Sequence, residues 1–162
     1  MKGYTHAAVG ANVIWLSHLT GQIDTYTPIL MGVCALSALL PDVDNDESKI
    51  HYISKGYTRF LAKLFKHRTF FHSFLFIFIL FFFTTLTTGL IHPFLPIAIT
   101  FGYLTHPLID ALTYGGVQLF YPSEKKCHLL PYGYRVSVGG LVDTLLFVAG
   151  CAGVLLFLGT HL

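Results

Sequence analysis

From residue 69 to residue 109 the chain runs for 41 residues without an Asp, Glu, Lys or Arg. Soluble domains carry about 25% charged residues, so a gap of this length narrows what the chain can fold into. A bilayer-spanning helix needs about 20 predominantly apolar residues. The gap therefore holds two such helices, and Gly89, Pro93 and Pro96 supply the breakers for a turn between them. Residues 3–23 and 25–41 carry no charged side chain either, and residues 136–162 carry only Asp143. Hydrophobic residues make up 54% of the 162 and charged residues 11%, with a mean hydropathy of +0.64. This excludes a disordered or nucleic-acid-binding chain. Cys34, Cys127 and Cys151 are too few and too scattered for a disulfide scaffold.

The pattern predicts an all-α, polytopic integral membrane protein: one membrane-embedded domain over 1–162 with about five transmembrane helices, near 4–20, 26–40, 70–90, 93–114 and 139–160. A signal peptide is the competing reading of the N-terminal segment. His6, Gly10 and Asn12 interrupt its apolar run, and no clean small-residue cleavage site follows. All ten Lys and Arg fall on one side of the five-helix arrangement: Lys2 ahead of the first helix, Lys49 to Arg68 between the second and third, and Lys125, Lys126 and Arg135 between the fourth and fifth. The positive-inside rule makes that side, and the N-terminus, cytoplasmic. Near 54–66, Tyr57, Phe60, Leu61, Leu64 and Phe65 share one helical face, with Lys55, Arg59, Lys63 and Lys66 largely opposite. This is the pattern of an amphipathic helix lying against anionic lipid.

Ionisable groups at membrane depth are costly and mark functional sites by default. His6 lies near the start of the first helix, Asp42 and Asp44 at the end of the second, His67 and His72 at the start of the third, His106 and Asp110 at the end of the fourth, and Asp143 at the start of the fifth. The topology brings all eight to the cytoplasmic level. Imidazole with carboxylate suits a divalent cation, zinc first, with manganese or magnesium as alternatives. His106 and Asp110, four apart, share a helical face. His67 and His72 are about 140° apart on a helix, so they share a site only if His67 precedes the helix. Each residue also has a plainer reading: His6 as an interfacial hydrogen-bonding residue, Asp42 and Asp44 as a solvated helix end, and Asp110 as the ion-pair partner of Arg68 or Arg135. His18, His92 and His161 lie at the opposite level, and His51 and His128 fall in loops without informative spacing.

The motifs T-H-x-x-x-G (5–10), L-L-P-D-x-D (39–44), H-R-x-x-x-H-S (67–73) and G-Y-L-x-H-x-x-x-D-x-L-T (102–113) resemble those of the YdjM family of bacterial inner-membrane proteins. The run from Gly115 to Pro122 is similar to the segment that follows in that family. The resemblance implies a membrane-bound, metal-dependent hydrolase of the bacterial inner membrane. It also implies that Arg135 and Asp143 correspond to an arginine and a later acid of the family, where Glu is expected in place of Asp143. A more distant echo is the zinc-dependent phospholipase C and nuclease group, whose H-x-x-x-D ligand pair is similar to His106 and Asp110.

The expected reaction is hydrolysis of a phosphoester, in a lipid or another substrate near the membrane. His6, Asp42, His67, His72, His106, Asp110 and Asp143 are the candidate metal ligands, Asp44 the general base or a second-metal ligand, and Arg68 and Arg135 the phosphate clamps. A divalent-metal transporter or sensor would use similar ligands, although transport sites usually sit nearer the bilayer midplane. In a structural membrane protein, the same groups would be polar glue between helices.

Overall fold

A computed structural model describes residues 1–15, 21, 27–45 and 63–161. Among these residues the chain forms five α-helices and no strand: α1 Gly3–Ala11, α2 Thr27–Ser37, α3 Phe74–Thr88, α4 Leu95–Asp110 and α5 Leu141–His161. Short 3-10 turns span Asn12–Ile14, Leu40–Asp44, Phe70–His72 and Tyr132–Tyr134. The expected amphipathic helix near 54–66 falls mostly outside the described residues.

Local chemistry sets the helix ends. Helix α3 starts at Phe74 because the Ser73 hydroxyl accepts from Phe76 N at 3.2 Å, capping the first turn. The preceding residues, Phe70 to His72, turn more tightly. Pro96 occupies the first turn of α4, where its missing N–H has no helical partner to lose. Pro107 sits near the other end of α4, which continues past it to Asp110.

Helices α1, α2 and α4 pack on one another; α3 packs mainly on α4, and α5 mainly on α1. The inner three approach closely at two glycines. A Cβ on Gly10 would collide with Ala38, and one on Gly102 with the Cys34 backbone and the Ser37 side chain. Small residues admit this proximity. The apolar core beneath joins Ala11, Ile14, Leu30, Met31, Cys34, Ala98 and Phe157. Asn12 ties α1 to α5 by donating to the Gly150 carbonyl at 2.8 Å.

Two segments among the described residues are long and apolar enough to cross a membrane, Thr27–Asp44 and Leu141–Thr160, and Phe74–Thr88 is a shorter apolar helix. The 15 residues of α3 measure about 22 Å against a hydrocarbon core of about 30 Å. The hydroxyls of Thr84, Thr85, Thr87 and Thr88 donate back to carbonyls four residues earlier, so α3 carries them without unpaired donors.

The segment between α4 and α5 is an ordered cap. Val117 and Cys127 pair through both backbone hydrogen bonds, Leu129 N reaches Ala111 O, and Val136 N reaches Leu112 O. Ala111, Val117 and Leu119 are buried beneath it. The cap also holds the entry to α3, since Gln118 N donates to Arg68 O and Phe74 N to Leu119 O.

Candidate metal centre

The start of α1, the turn after α2, the segment before α3 and the end of α4 meet at one end of the protein. Their His and Asp side chains form three overlapping donor sets: His6, His106 and Asp110; Asp42, His72 and His106; and Asp44, His67 and His72. Within each set the donor atoms lie within 4.8 Å of one another. His6 and His106 stack with centroids 3.6 Å apart and planes 9° apart, and the His72 ring stands 5.0 Å from His106. His67 and His72 approach to 5.3 Å, because both precede α3 rather than riding on it.

The histidines are deeply buried and underused. His6, His72 and His106 are 0% exposed. Neither ring nitrogen of His6 or His72 makes a hydrogen bond, and neither does Nε2 of His106. Buried polar atoms are nearly always paired, yet three of these five nitrogens have only carboxylate oxygens outside hydrogen-bond geometry near them, at 3.2–3.8 Å. His106 Nδ1 lies 2.7 Å from the Ala38 carbonyl, which only accepts, so Nδ1 carries a proton and Nε2 is the nitrogen through which the ring can ligate. That nitrogen faces Asp42 Oδ1 at 3.5 Å and Asp110 Oδ2 at 3.8 Å. An imidazole nitrogen facing carboxylates at these distances is satisfied by a proton or by a metal ion between them.

The spacing fits a cation. Two donors each about 2.1 Å from one ion, near a tetrahedral angle, stand about 3.4 Å apart. His6 Nε2 is 3.4 Å from Asp110 Oδ1, and His72 Nδ1 is 3.2 Å from Asp44 Oδ2. Only His67 is closer, with Nδ1 hydrogen-bonded to Asp44 Oδ1 at 2.6 Å. Among the described residues, three carboxylates, Asp42, Asp44 and Asp110, share the cluster with one guanidinium, that of Arg68, and the amino group of Met1 also lies against Asp110.

Arg68 ties the two ends of the cluster together. Its backbone N–H donates to Asp44 at 3.2 Å, Nη2 pairs with Asp110 at 2.9 Å, and Nη1 reaches Thr113. Holding both carboxylates puts its backbone at a φ of 65°, a left-handed conformation costly for a side-chain-bearing residue. Nε of Arg68 is buried without an acceptor. Arg68 Nη2 and His106 Nε2 share Asp110 Oδ2, while Oδ1 faces His6 Nε2 and the Met1 amino group, so the ion-pair reading of Asp110 accounts for only part of its surroundings.

Asp44 is buried and held by His67, His72 and the Arg68 N–H, the surroundings of a ligand or an orienting group. Asp42, with 18% of its side chain exposed, has more freedom to meet solvent. Asp143 and Arg135 stand outside the donor sets. Asp143 accepts from Thr5 Oγ1 at 2.7 Å and from the N–H groups of Lys2 and Gly139, fixing α5 to the start of α1. Arg135 donates to the Leu130 carbonyl and lies over the Tyr132 ring.

Several positioning residues escaped sequence reasoning although they belong to the motifs quoted above. Tyr103 donates its hydroxyl to Phe71 O at 2.6 Å, pinning the turn that carries His72. Thr5 anchors Asp143, and Thr113 joins the Asp110 carbonyl to Arg68. Gly10 and Gly102 bring α1 and α4 against α2, which sets the Ala38 carbonyl beside His106. The motifs thus form one interlocked set of candidate ligands, the residues that orient them and the close contacts between them.

Comparison with known proteins identifies the family. A family model described as YdjM inner membrane protein matches residues 1–161. The chain belongs to the YdjM family. It is 33% identical over 134 residues to YvsG of Bacillus subtilis (strain 168), covering 82% of this chain and 80% of that protein. It is 37% identical over 97 residues to the inner membrane protein YdjM of Escherichia coli (strain K12), and to that of Shigella flexneri, covering 58% of this chain and half the length of each. No solved structure matches the chain. Membership of YdjM makes it a protein of the bacterial inner membrane.

Proposed function

We propose that this YdjM member is a metal-dependent hydrolase that cleaves a phosphoester, in a lipid or another membrane-proximal substrate, at the cytoplasmic face of the inner membrane. It crosses the bilayer five times with its N-terminus inside. The observation that carries the reading is the set of buried, unpaired imidazole nitrogens facing Asp42 and Asp110 at ligand–ligand distances. A bound divalent ion, zinc first among candidates, supplies an acidified water and neutralises oxyanion charge.

The chain's own residues do the rest. His6, His106 and Asp110 form the most buried donor set. The Ala38 carbonyl and Arg68 orient His106 and Asp110 from outside it, as the partners of metal ligands do. Asp42, with 18% of its side chain exposed, is a metal ligand on the solvent side of the cluster, and Asp44 is the general base or a ligand of a second metal. Arg68 offers its free Nε to the substrate anion. Arg135 and the basic residues of the cap attract anionic headgroups. The full burial of three imidazoles also suits a divalent-metal sensor or transporter, and the assay separates the two.

Protein purified in detergent retains a divalent ion by elemental analysis, and His106→Ala loses it. Phosphate or headgroup is released from total lipid extract with added zinc or manganese, and Arg68→Ala lowers that release by roughly 100-fold or more. Metal-bound wild type that releases nothing from lipids or generic phosphodiesters supports the sensor or transporter; metal-free wild type removes both. For the topology, a reporter inserted at Ser123 reads as cytoplasmic and one placed at the end of α5 as external. Finding both on the same side removes the five-span arrangement.

A further inference from the structure

The first and third donor sets have no residue in common. His6, His106 and Asp110 come from α1 and α4, whereas Asp44, His67 and His72 come from the turn after α2 and the segment before α3. The remaining set takes one residue from each, His106 and His72, and joins them through Asp42. Seven donors exceed what one zinc-like ion takes, which is four. His106 cannot serve two ions, because its Nδ1 is committed to the Ala38 carbonyl and only Nε2 is free. His72 is 0% exposed and stands among these carboxylates, with Nδ1 3.2 Å from Asp44 Oδ2 and Nε2 without a hydrogen-bond partner.

We propose that the site holds two divalent ions: an inner one on His6, His106 and Asp110, an outer one on Asp44, His67 and His72, and Asp42 as the carboxylate between them. This rests on the metal-dependent reading above and fixes the number of ions and the partition of ligands. The two positions differ in access. The side chains of His6, His106 and Asp110 are at most 2% exposed, while that of His67 is 35% exposed. The outer ion therefore exchanges with solvent and the inner one is retained. Such a pair clamps a phosphoester between two cations, as two-metal sites about 3.5–4 Å apart do. Asp42, partly open to solvent at the junction, marks where the scissile group enters.

The test uses the full-length protein in detergent, stripped with chelator and titrated with Mn(II), read by elemental analysis and electron paramagnetic resonance. Wild type is expected to bind two Mn(II) per chain, the first more tightly, with an exchange-coupled spectrum at saturation. His67→Ala should bind one Mn(II) and give the spectrum of an isolated ion, and His67→Gln serves if the alanine variant does not fold. Asp42→Asn should lose the coupling. Saturation of wild type at one ion per chain overturns the two-ion site and leaves the hydrolase reading standing. Two uncoupled ions, or a His67 variant that still binds two, also overturn it. Wild type that binds none removes the metal reading itself.

Discussion

Gly10 and Gly102 let the backbones of α1 and α4 approach α2, whereas Phe78, Phe82 and Leu86 of α3 and Leu145, Leu155 and Leu156 of α5 point away from the protein. The inner helices are specified by what fits between backbones and by which polar groups find one another. The flanking helices are specified by hydropathy, and their outward faces meet none of the other described residues. The inner region should therefore tolerate almost no change in shape, and the flanks almost any change that stays apolar. The sharpest way to break this contrast is Gly102→Val. Its first added carbon already collides with the Cys34 backbone and the Ser37 side chain, so two chain segments must separate. Overpacking typically costs about 1–3 kcal/mol and more where backbone must move. We expect Gly102→Val to give no monodisperse folded protein in size-exclusion chromatography and no retained metal.

A smaller effect is expected where the inner region contacts a flank. Tyr103 of α4 holds the Phe71 carbonyl and through it the turn that aims His72. Tyr103→Phe keeps the ring and removes only that bond. Loss of a partner that orients a ligand typically lowers metal affinity 10- to 100-fold. We expect a roughly 10-fold weaker affinity in a competition assay with a chromogenic chelator, with the protein still folded. Unchanged affinity would mean that the turn holds His72 without α4.

How much of this was legible beforehand varied with the kind of interaction. The alternation of apolar runs carried the helix order, and the rarity of ionisable groups at membrane depth singled out His6, Asp42, Asp44, His67, His72, His106, Asp110 and Asp143, of which all but Asp143 fall in donor sets. Hydropathy could not resolve the entry to α3, because Phe70 and Phe71 are equally apolar in a tight turn and in a helix; the Ser73 cap was the available sign. The separate surroundings of Asp42 and Asp44 depend on which histidines arrive from elsewhere in the chain, and spacing within one segment carries no such information. Asp143 shares the membrane level of the site, yet its carboxylate is occupied by Thr5, Lys2 and Gly139. The scaffold role of the cap over 111–140 was hidden because it rests on isolated backbone pairings, which leave no periodicity.

The smallest effect should come from the flank itself. Phe82 sits mid-way along α3 and is 61% exposed, with its side chain directed away from α4. Phe82→Leu leaves hydropathy nearly unchanged, since both residues insert favourably at a helix centre. It opens no void, because the space around the ring belongs to lipid or detergent rather than to packed protein. Substitutions at exposed positions usually stay within about 0.5 kcal/mol. We therefore expect melting temperature, metal content and Mn(II) affinity indistinguishable from wild type. A fall in stability approaching that of Gly102→Val would mean that another protein surface, such as a second copy of the chain, packs on this face. The contrast between inner and flanking helices would then end at the monomer. Oligomeric state by light scattering, measured with and without the substitution, decides between a lipid-facing flank and a buried one.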